Sequence, residues 1–306
     1  MTNKREKKQT LRTIGQRLVV FLLKMFSFLP FWLLYLISDV LYLLMVYVIG
    51  YRRKVIDENI RYSFPEKSKE ELLLLRKKYY RHFCDLTIES IKLYTISEKE
   101  MNKRFFYRNN EVLRAPLPSE KGLIVLAMHH NNWEWGSAIQ KELKARVLMV
   151  YNKMRDNIPF DNFLLRAREK FGGKGVVMSS AARTAIDYKL RKKPAVLWLA
   201  ADQSAPQGAQ LWTIFMNREA PFFAGPVKLA QKLNQPLFFQ RIRKISRGKY
   251  EMEFTLLFEE PAKIDATEIL LTYKQKMEEV IREEPEYYLW SHRRWKHKRP
   301  EGTELI

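Results

Sequence analysis

His129 and Glu134, separated by four residues, are the residues of this chain best suited by type and spacing to move a proton. They lie in Gly122-Leu-Ile-Val-Leu-Ala-Met-His-His-Asn-Asn-Trp-Glu-Trp-Gly136. The apolar run Leu123 to Met128 has the length and β-branched content of a buried strand. A helical pattern follows over Trp135 to Leu143. On an ideal helix, positions five apart are turned by ~140°, so the pair would not share a helical face. A histidine ending a strand and a carboxylate opening a helix can instead face each other across a tight loop. A carboxylate that accepts from one imidazole nitrogen fixes the tautomer and leaves the other nitrogen as a base. No Ser or Cys in the motif is placed as a nucleophile, so the proton to be taken is that of a substrate hydroxyl. The alternative is a hydrogen-bonded structural histidine and a helix-capping glutamate. His130 adjoins His129 with shorter spacing to Glu134 and is the weaker candidate base.

The elements around the motif define the fold class. Strand patterns at Arg146–Tyr151, 175–178 and 194–200 alternate with helical patterns at 159–170 and 180–191. A further helix is expected over 225–233. An antiparallel pair, 236–245 and 250–258, is expected across the Ser246–Lys249 turn, then a helix over 266–282. This predicts an α/β fold with a mostly parallel central sheet flanked by helices. The carboxyl ends of such strands are where ligands bind. Upstream, 67–94 reads as a long amphipathic helix with a capping box at Ser68 and Glu71. The region 95–121 is polar and ends in a Pro/Ser loop.

From Leu18 to Gly50 the chain is apolar, broken only by Lys24, Ser27, Pro30, Ser38 and Asp39. A membrane span needs about 20 apolar residues. The stretch is too long for a cleaved signal peptide, and no small-x-small site ends it. Basic residues flank both ends, so charge asymmetry does not orient it. Pro30 divides the region, and Leu11, Ile14, Leu18, Phe21, Leu22 and Met25 recur at helical spacing, with Arg17 and Lys24 off that face. Either one span or a re-entrant or interfacial helix pair fits. Residues 1–54 thus form a basic N-terminus and membrane-associated segment, and 55–306 the α/β domain.

The 306 residues carry 55 Lys+Arg against 34 Asp+Glu, a net charge of +21 that calls for an anionic partner. The single cysteine, Cys84, excludes an intrachain disulfide framework. The five histidines show no metal-binding spacing, and no Walker or Rossmann glycine pattern occurs, so neither a metal nor a cofactor is expected. In the tail, Arg293, Arg294, Lys296, Lys298 and Arg299 interleave with Trp290 and Trp295. This could contact anionic head groups or an acidic carrier protein, or be a solvated basic end. Without a nucleic-acid-binding motif, nucleic acid ranks last.

HHNNWEW resembles the His-x4-Glu/Asp motif of the lipid A biosynthesis (late) acyltransferases, within the lysophospholipid-acyltransferase-like superfamily. Asn132, Trp133 and Glu134 match, while Asn131 replaces the usual glycine. YRRKVIDENIRYSFPE, Arg166 within YNKMRDNIPFDNFLLRARE, Asp202-Gln203 in LAADQS, the Phe215–Ala230 segment and the tail YYLWSHRRWKHKRP are similar to further family segments in the same order. Asn217 stands where many members have glycine. The resemblance covers essentially residues 10–300. It implies a glycerolipid acyltransferase-like fold at the cytoplasmic face of the cell inner membrane. The implied activity is transfer of an acyl chain from acyl carrier protein, or acyl-CoA, to a hydroxyl of a lipid A precursor. It implies His129 as base, Glu134 orienting it, and Arg166, Asp202, Gln203 and Asn132 as substrate-binding residues, with Asn132 shaping the loop more than doing chemistry. A lysophospholipid or another membrane glycolipid or aminolipid is the alternative acceptor. A non-catalytic basic membrane-binding protein is the alternative of another class.

Overall fold

The computed structural model describes residues 2–114 and 122–306, with side chains from residue 12 onward. The Pro/Ser loop before the first long strand, and the basic side chains of residues 4–8, lie outside the described residues. The chain opens with helices α1 (Thr2–Ser27), α2 (Phe31–Leu43, continued by a π-helical stretch Leu44–Ile49), α3 (Arg53–Ser63), α4 (Lys69–Lys92) and α5 (Glu98–Asn102). Then come β1 (Phe105–Tyr107), α6 (Glu111–Arg114), β2 (Leu123–Ala127), a 3-10 helix (Trp135–Glu142), β3 (Arg146–Tyr151), α7 (Ile158–Glu169), β4 (Lys174–Val177), α8 (Ala181–Leu190) and β5 (Ala195–Ala200). The rest is β6 (Leu211–Phe215), β7 (Arg218–Phe222), α9 (Ala224–Leu233), β8 (Leu237–Ser246), β9 (Lys249–Phe258) and α10 (Ala266–Glu283).

Because β2 is apolar at every position, it can be buried on both faces, and it lies in the middle of a seven-stranded sheet of order β1-β9-β8-β2-β5-β3-β4. Within this sheet, among the described residues, only the β8–β9 pairing is antiparallel. The expected mostly parallel sheet is therefore present. Gly122 enters β2 with φ +69°, and a Cβ there would overlap the Ala195 carbonyl, so the strand start requires glycine. One apolar cluster on the sheet gathers Leu126, Leu199, Met277 and Trp290, and the other gathers Val125, Val147, Trp135 and Tyr250.

Two details depart from the sequence reading. The segment after the motif is a 3-10 helix rather than an α-helix. The stretch before α9, to which the sequence pattern assigned no strand, contains the hairpin β6–β7. Its two-residue turn, Met216 and Asn217, has φ of 49° and 65°, the left-handed pair that matches strand twist. Asn217 can replace glycine there because asparagine tolerates that region.

α1 ends at Ser27, and Pro30 takes the N-cap position of α2. The continuous helix Phe31–Ile49 has 19 residues and a mean hydropathy of 2.1, long and apolar enough to cross a membrane. Its first turns are nonetheless fixed to the α/β domain by polar groups. Tyr35 Oη donates to Glu89 at 2.8 Å and Ser38 Oγ to Asp85 at 2.8 Å. Asp39 accepts from Arg247, in the β8–β9 turn, at 2.8 Å and from Arg81 at 3.0 Å. Arg247 also reaches Asp85 at 2.7 Å. Leu36, Val40, Leu43, Tyr47 and Val48 on the opposite side are exposed. The expected capping box of α4 is formed, with Ser68 Oγ accepting from Glu71 N and Glu71 Oε2 from Ser68 N.

Candidate active site

β2 and β5 run parallel in a register that pairs Ala127 with Ala200, so the two strands end side by side. Two residues further, His129 and Asp202 meet. His129 Nδ1 is 2.7 Å from Asp202 Oδ1, and the His129 backbone N–H donates to Oδ2 at 3.0 Å. Asp202 is buried, whereas the His129 side chain keeps 18% exposure toward a cavity. A proton on Nδ1 facing the carboxylate leaves Nε2 as the accepting nitrogen, and the Gln203 amide nitrogen lies within donating distance of it at 3.2 Å, where a substrate hydroxyl would take its place. Burial alone would lower the imidazole pKa. The Asp202 charge and hydrogen bond outweigh burial, holding His129 above its ordinary value. Burial pushes Asp202 up, and its pairing with His129 brings it below the usual carboxylate range.

No hydrogen bond joins Glu134 to His129 among the described residues, so the direct contact that the spacing suggested is not made. The Glu134 carboxylate is held by Arg168 in a fork, with Nε at 2.7 Å and one terminal nitrogen at 2.6 Å. Trp133 Nε1 adds a third contact at 3.3 Å. The carboxylate that accepts from the imidazole is that of Asp202, because β5 is the strand paired beside β2. Burial raises Glu134, and Arg168 more than reverses this, so it stays ionised and contributes to raising His129. Nor does Glu134 cap the 3-10 helix with its side chain.

Arg166 lies elsewhere. Residues two apart on a helix project ~200° from one another, and Arg166 lines a recess against α1 while Arg168 faces the cavity with Leu164, one turn before it. The sequence offered both arginines on this helix without telling which faced inward.

Asn132 is fully buried and lines no part of the cavity. Its Nδ2 donates to Glu89 Oε2 at 2.8 Å, and its Oδ1 accepts the Trp135 backbone N–H at 3.1 Å. Glu89, on α4, escaped the sequence reading. It also accepts from Tyr250 Oη at 2.7 Å and from Tyr35 Oη, and its backbone carbonyl takes Trp135 Nε1 at 3.0 Å. No cation pairs with it among the described residues. Burial raises its pKa to about 7, although the Tyr250 bond opposes the rise. The available signal was a carboxylate on the apolar stripe Leu75, Tyr79, Leu86 of α4.

His130 is excluded as the base by its surroundings. It is buried, with Nε2 3.0 Å from the Glu284 carbonyl, and burial lowers its pKa to about 4. Asn131 adopts φ 55°, which accounts for the glycine usual at this position. Its Nδ2 donates to the Ile242 carbonyl at 2.8 Å, so the side chain anchors the loop rather than perturbing it. The tail completes the support. The Asn131 N–H donates to the Tyr287 carbonyl, and the Leu289 N–H to the His129 carbonyl. Trp290 and Arg294 of the tail are fully buried, Arg294 donating to Pro221 O at 2.8 Å and lying over the Phe222 ring. Arg293, Lys296 and Lys298 are exposed.

The cavity measures about 510 Å³. His129, Glu134, Arg168 and Gln203 are among its charged and polar groups, with Ser137, Tyr151 and Asn152, and Met149, Met178, Leu164, Trp198 and Leu229 contribute apolar wall. A hydroxyl placed at Nε2 beside an apolar chain fits this arrangement.

The sequence profile of the bacterial lipid A biosynthesis acyltransferases matches residues 1–297. The chain belongs to this family. It is also similar to the lipid A biosynthesis lauroyltransferase of Escherichia coli (strain K12), with 25% identity over 256 residues, covering 82% of this chain and 81% of that protein. Family membership makes the chain an acyltransferase of lipid A biosynthesis. Among the described residues no group of His, Cys, Asp and Glu is placed to hold a metal ion.

Proposed function

We propose that this acyltransferase moves an acyl chain from acyl carrier protein to a hydroxyl of a lipid A precursor, with His129 as general base. The supporting observation is the His129–Asp202 pair at the polar end of the apolar cavity, with Nε2 directed away from its carboxylate partner. His129 Nε2 takes the acceptor hydroxyl proton as the oxygen attacks the thioester carbonyl carbon. The tetrahedral oxyanion then collapses, the C–S bond breaks, and the proton passes from His129 to the departing thiolate. Asp202 holds the tautomer and balances the imidazolium. Glu134 adds a second negative charge near the ring and is itself fixed by Arg168. One terminal nitrogen of Arg168 makes no hydrogen bond among the described residues, and Arg168 lines the cavity, so this nitrogen is available to donate to the developing oxyanion.

The protein works on the cytoplasmic face of the inner membrane. The exposed apolar sides of α1 and α2 lie in the bilayer interface, while Tyr35, Ser38 and Asp39 hold α2 to the catalytic domain. This docking favours an interfacial helix pair over a span. The positive net charge attracts both the anionic surface and an acidic carrier protein.

Purified protein is to be incubated with acyl carrier protein thioester and lipid A precursor, and the lipid products read by mass spectrometry. Wild type adds one acyl mass, and His129→Ala and Asp202→Ala add none while keeping the fold. Transfer by the His129 variant at the wild-type rate would refute the base assignment. Acylation of a lysophospholipid alone would reassign the acceptor.

A further inference from the structure

A second recess, of about 280 Å³, lies between α1 and α7 and is lined by Arg17, Val20, Phe21, Lys24, Pro159, Asn162, Phe163 and Arg166. Arg17 and Lys24 are seven residues apart, two helical turns, and Arg166 approaches from α7. None of the three cations forms an ion pair among the described residues. Lys24 has only the Tyr94 ring, 5.6 Å from its nitrogen. No carboxylate among the described residues lines the recess. Of the nearby acidic residues, Asp161 is buried and accepts the Met154 N–H at 2.9 Å, and Asp156 is exposed and does not line the recess, its backbone carbonyl accepting from Arg12 and Gln16. Three like charges around one concavity repel one another, and an anion would relieve that repulsion. Buried Val20 and Phe163 floor the recess, and its rim residue Phe21 is 57% exposed. Phe21 continues into an apolar strip of Leu18, Leu22 and Met25, each more than half exposed.

We propose that this recess binds the phosphate of an anionic membrane lipid, with Arg17, Lys24 and Arg166 around the phosphate and the lipid's acyl chains along Leu18, Leu22 and Met25. The adjoining apolar strip selects a lipid over a free anion, since inorganic phosphate would leave that strip in water. The site lies on the opposite face of α7 from Arg168 and takes no part in the acyl-transfer steps. It holds the enzyme in one orientation on an anionic surface.

The full chain is to be sedimented with phosphatidylcholine vesicles containing phosphatidic acid or, at matched charge, phosphatidylserine. Wild type prefers phosphatidic acid, whose phosphate is the more accessible. Arg17→Gln with Lys24→Gln loses that preference and on the order of 30-fold in affinity, from about 1 kcal/mol per basic residue near the surface. Arg53→Gln with Lys54→Gln removes two exposed charges at the far end of α2 and keeps the preference. Binding of both double variants to pure phosphatidylcholine at the wild-type level shows that they are folded. His129→Ala binds like wild type, which separates this site from the catalytic assignment. Equal losses in the two double variants, with no preference for phosphatidic acid in wild type, would mean diffuse attraction and overturn the proposal. So would Arg17- and Lys24-dependent broadening of the inorganic phosphate ³¹P signal without any vesicle preference.

Discussion

The loop from His129 to Trp135 has two sides that treat polar groups in opposite ways. On the cavity side, His129, Glu134, Asp202 and Arg168 are charged or ready to charge, and each carboxylate has a cationic or potentially cationic partner. On the core side, His130, Asn131, Asn132 and Glu89 are buried and held by neutral donors and acceptors. The consequence is clearest in the adjacent histidines. His129 is held above the usual imidazole value and His130 is lowered to about 4. Burial opposes charge in both, and only His129 has a carboxylate against its ring to offset it. A loop can thus carry a base on one side while its other side is fixed by buried groups paired with neutral donors and acceptors.

The largest expected effect comes from removing the base. His129→Ala should lower kcat by roughly 10²–10⁴, the usual worth of general acid–base catalysis, in a steady-state transfer assay. Next is Asp202→Asn, which should lower kcat and also move the pH profile. His129 must be neutral to accept a proton, so wild-type activity should fall as pH drops through a value above about 6.5. Without the Asp202 charge the imidazole pKa drops, and the acid limb should shift to lower pH. An unshifted limb would assign it to another group.

The core side is probed through stability. The folded-state pKa of Glu89, at about 7, lies above its unfolded value, so the folded state holds the proton more tightly. Stability should therefore decline as pH rises from about 4.5 to about 7. Glu89→Gln should flatten that part of the denaturant-midpoint profile, because the amide can keep contacts with Tyr35, Tyr250 and Asn132. Glu89→Ala strips those donors of their acceptor and should cost about 1–3 kcal/mol for each one left unpaired. The smallest effect is expected at Gly248, in the β8–β9 turn. Its φ is +71°, and a Cβ would overlap the Tyr35 hydroxyl. Gly248→Ala should lower the melting temperature by a few degrees, with kcat reduced only as far as Tyr35 is displaced from Glu89.

The sequence carried the parallel sheet because its strands are short apolar runs separated by helical patterns, a local signal. It carried His129 because a histidine ends the most buried of those runs. It could not reveal that Asp202 would accept from His129, since that depends on β2 and β5 being neighbours in register. The resemblance pointed to Arg166 and left Arg168 unassigned, because helix phase relative to a cavity is a tertiary property. Glu89 was hidden for a related reason: an acid on an apolar stripe gains meaning only when Tyr35, Asn132 and Tyr250 arrive from three other segments. The β6–β7 hairpin was missed because its left-handed turn is made by Met216 and Asn217 without a glycine to mark it.

The register between β2 and β5 also bears on how the enzyme matures. His129 and Asp202 are 73 residues apart in the chain, and they meet only if Ala127 lies opposite Ala200. Between the two strands, β3 and β4 must be made and placed on the far side of β5. Such long-range parallel pairing forms slowly, because loop closure precedes any contact that rewards it. A nascent chain with correct helices but a slipped strand would hold its histidine without its aspartate. The return of activity during refolding would then report completed strand pairing, and should lag behind the recovery of helical signal.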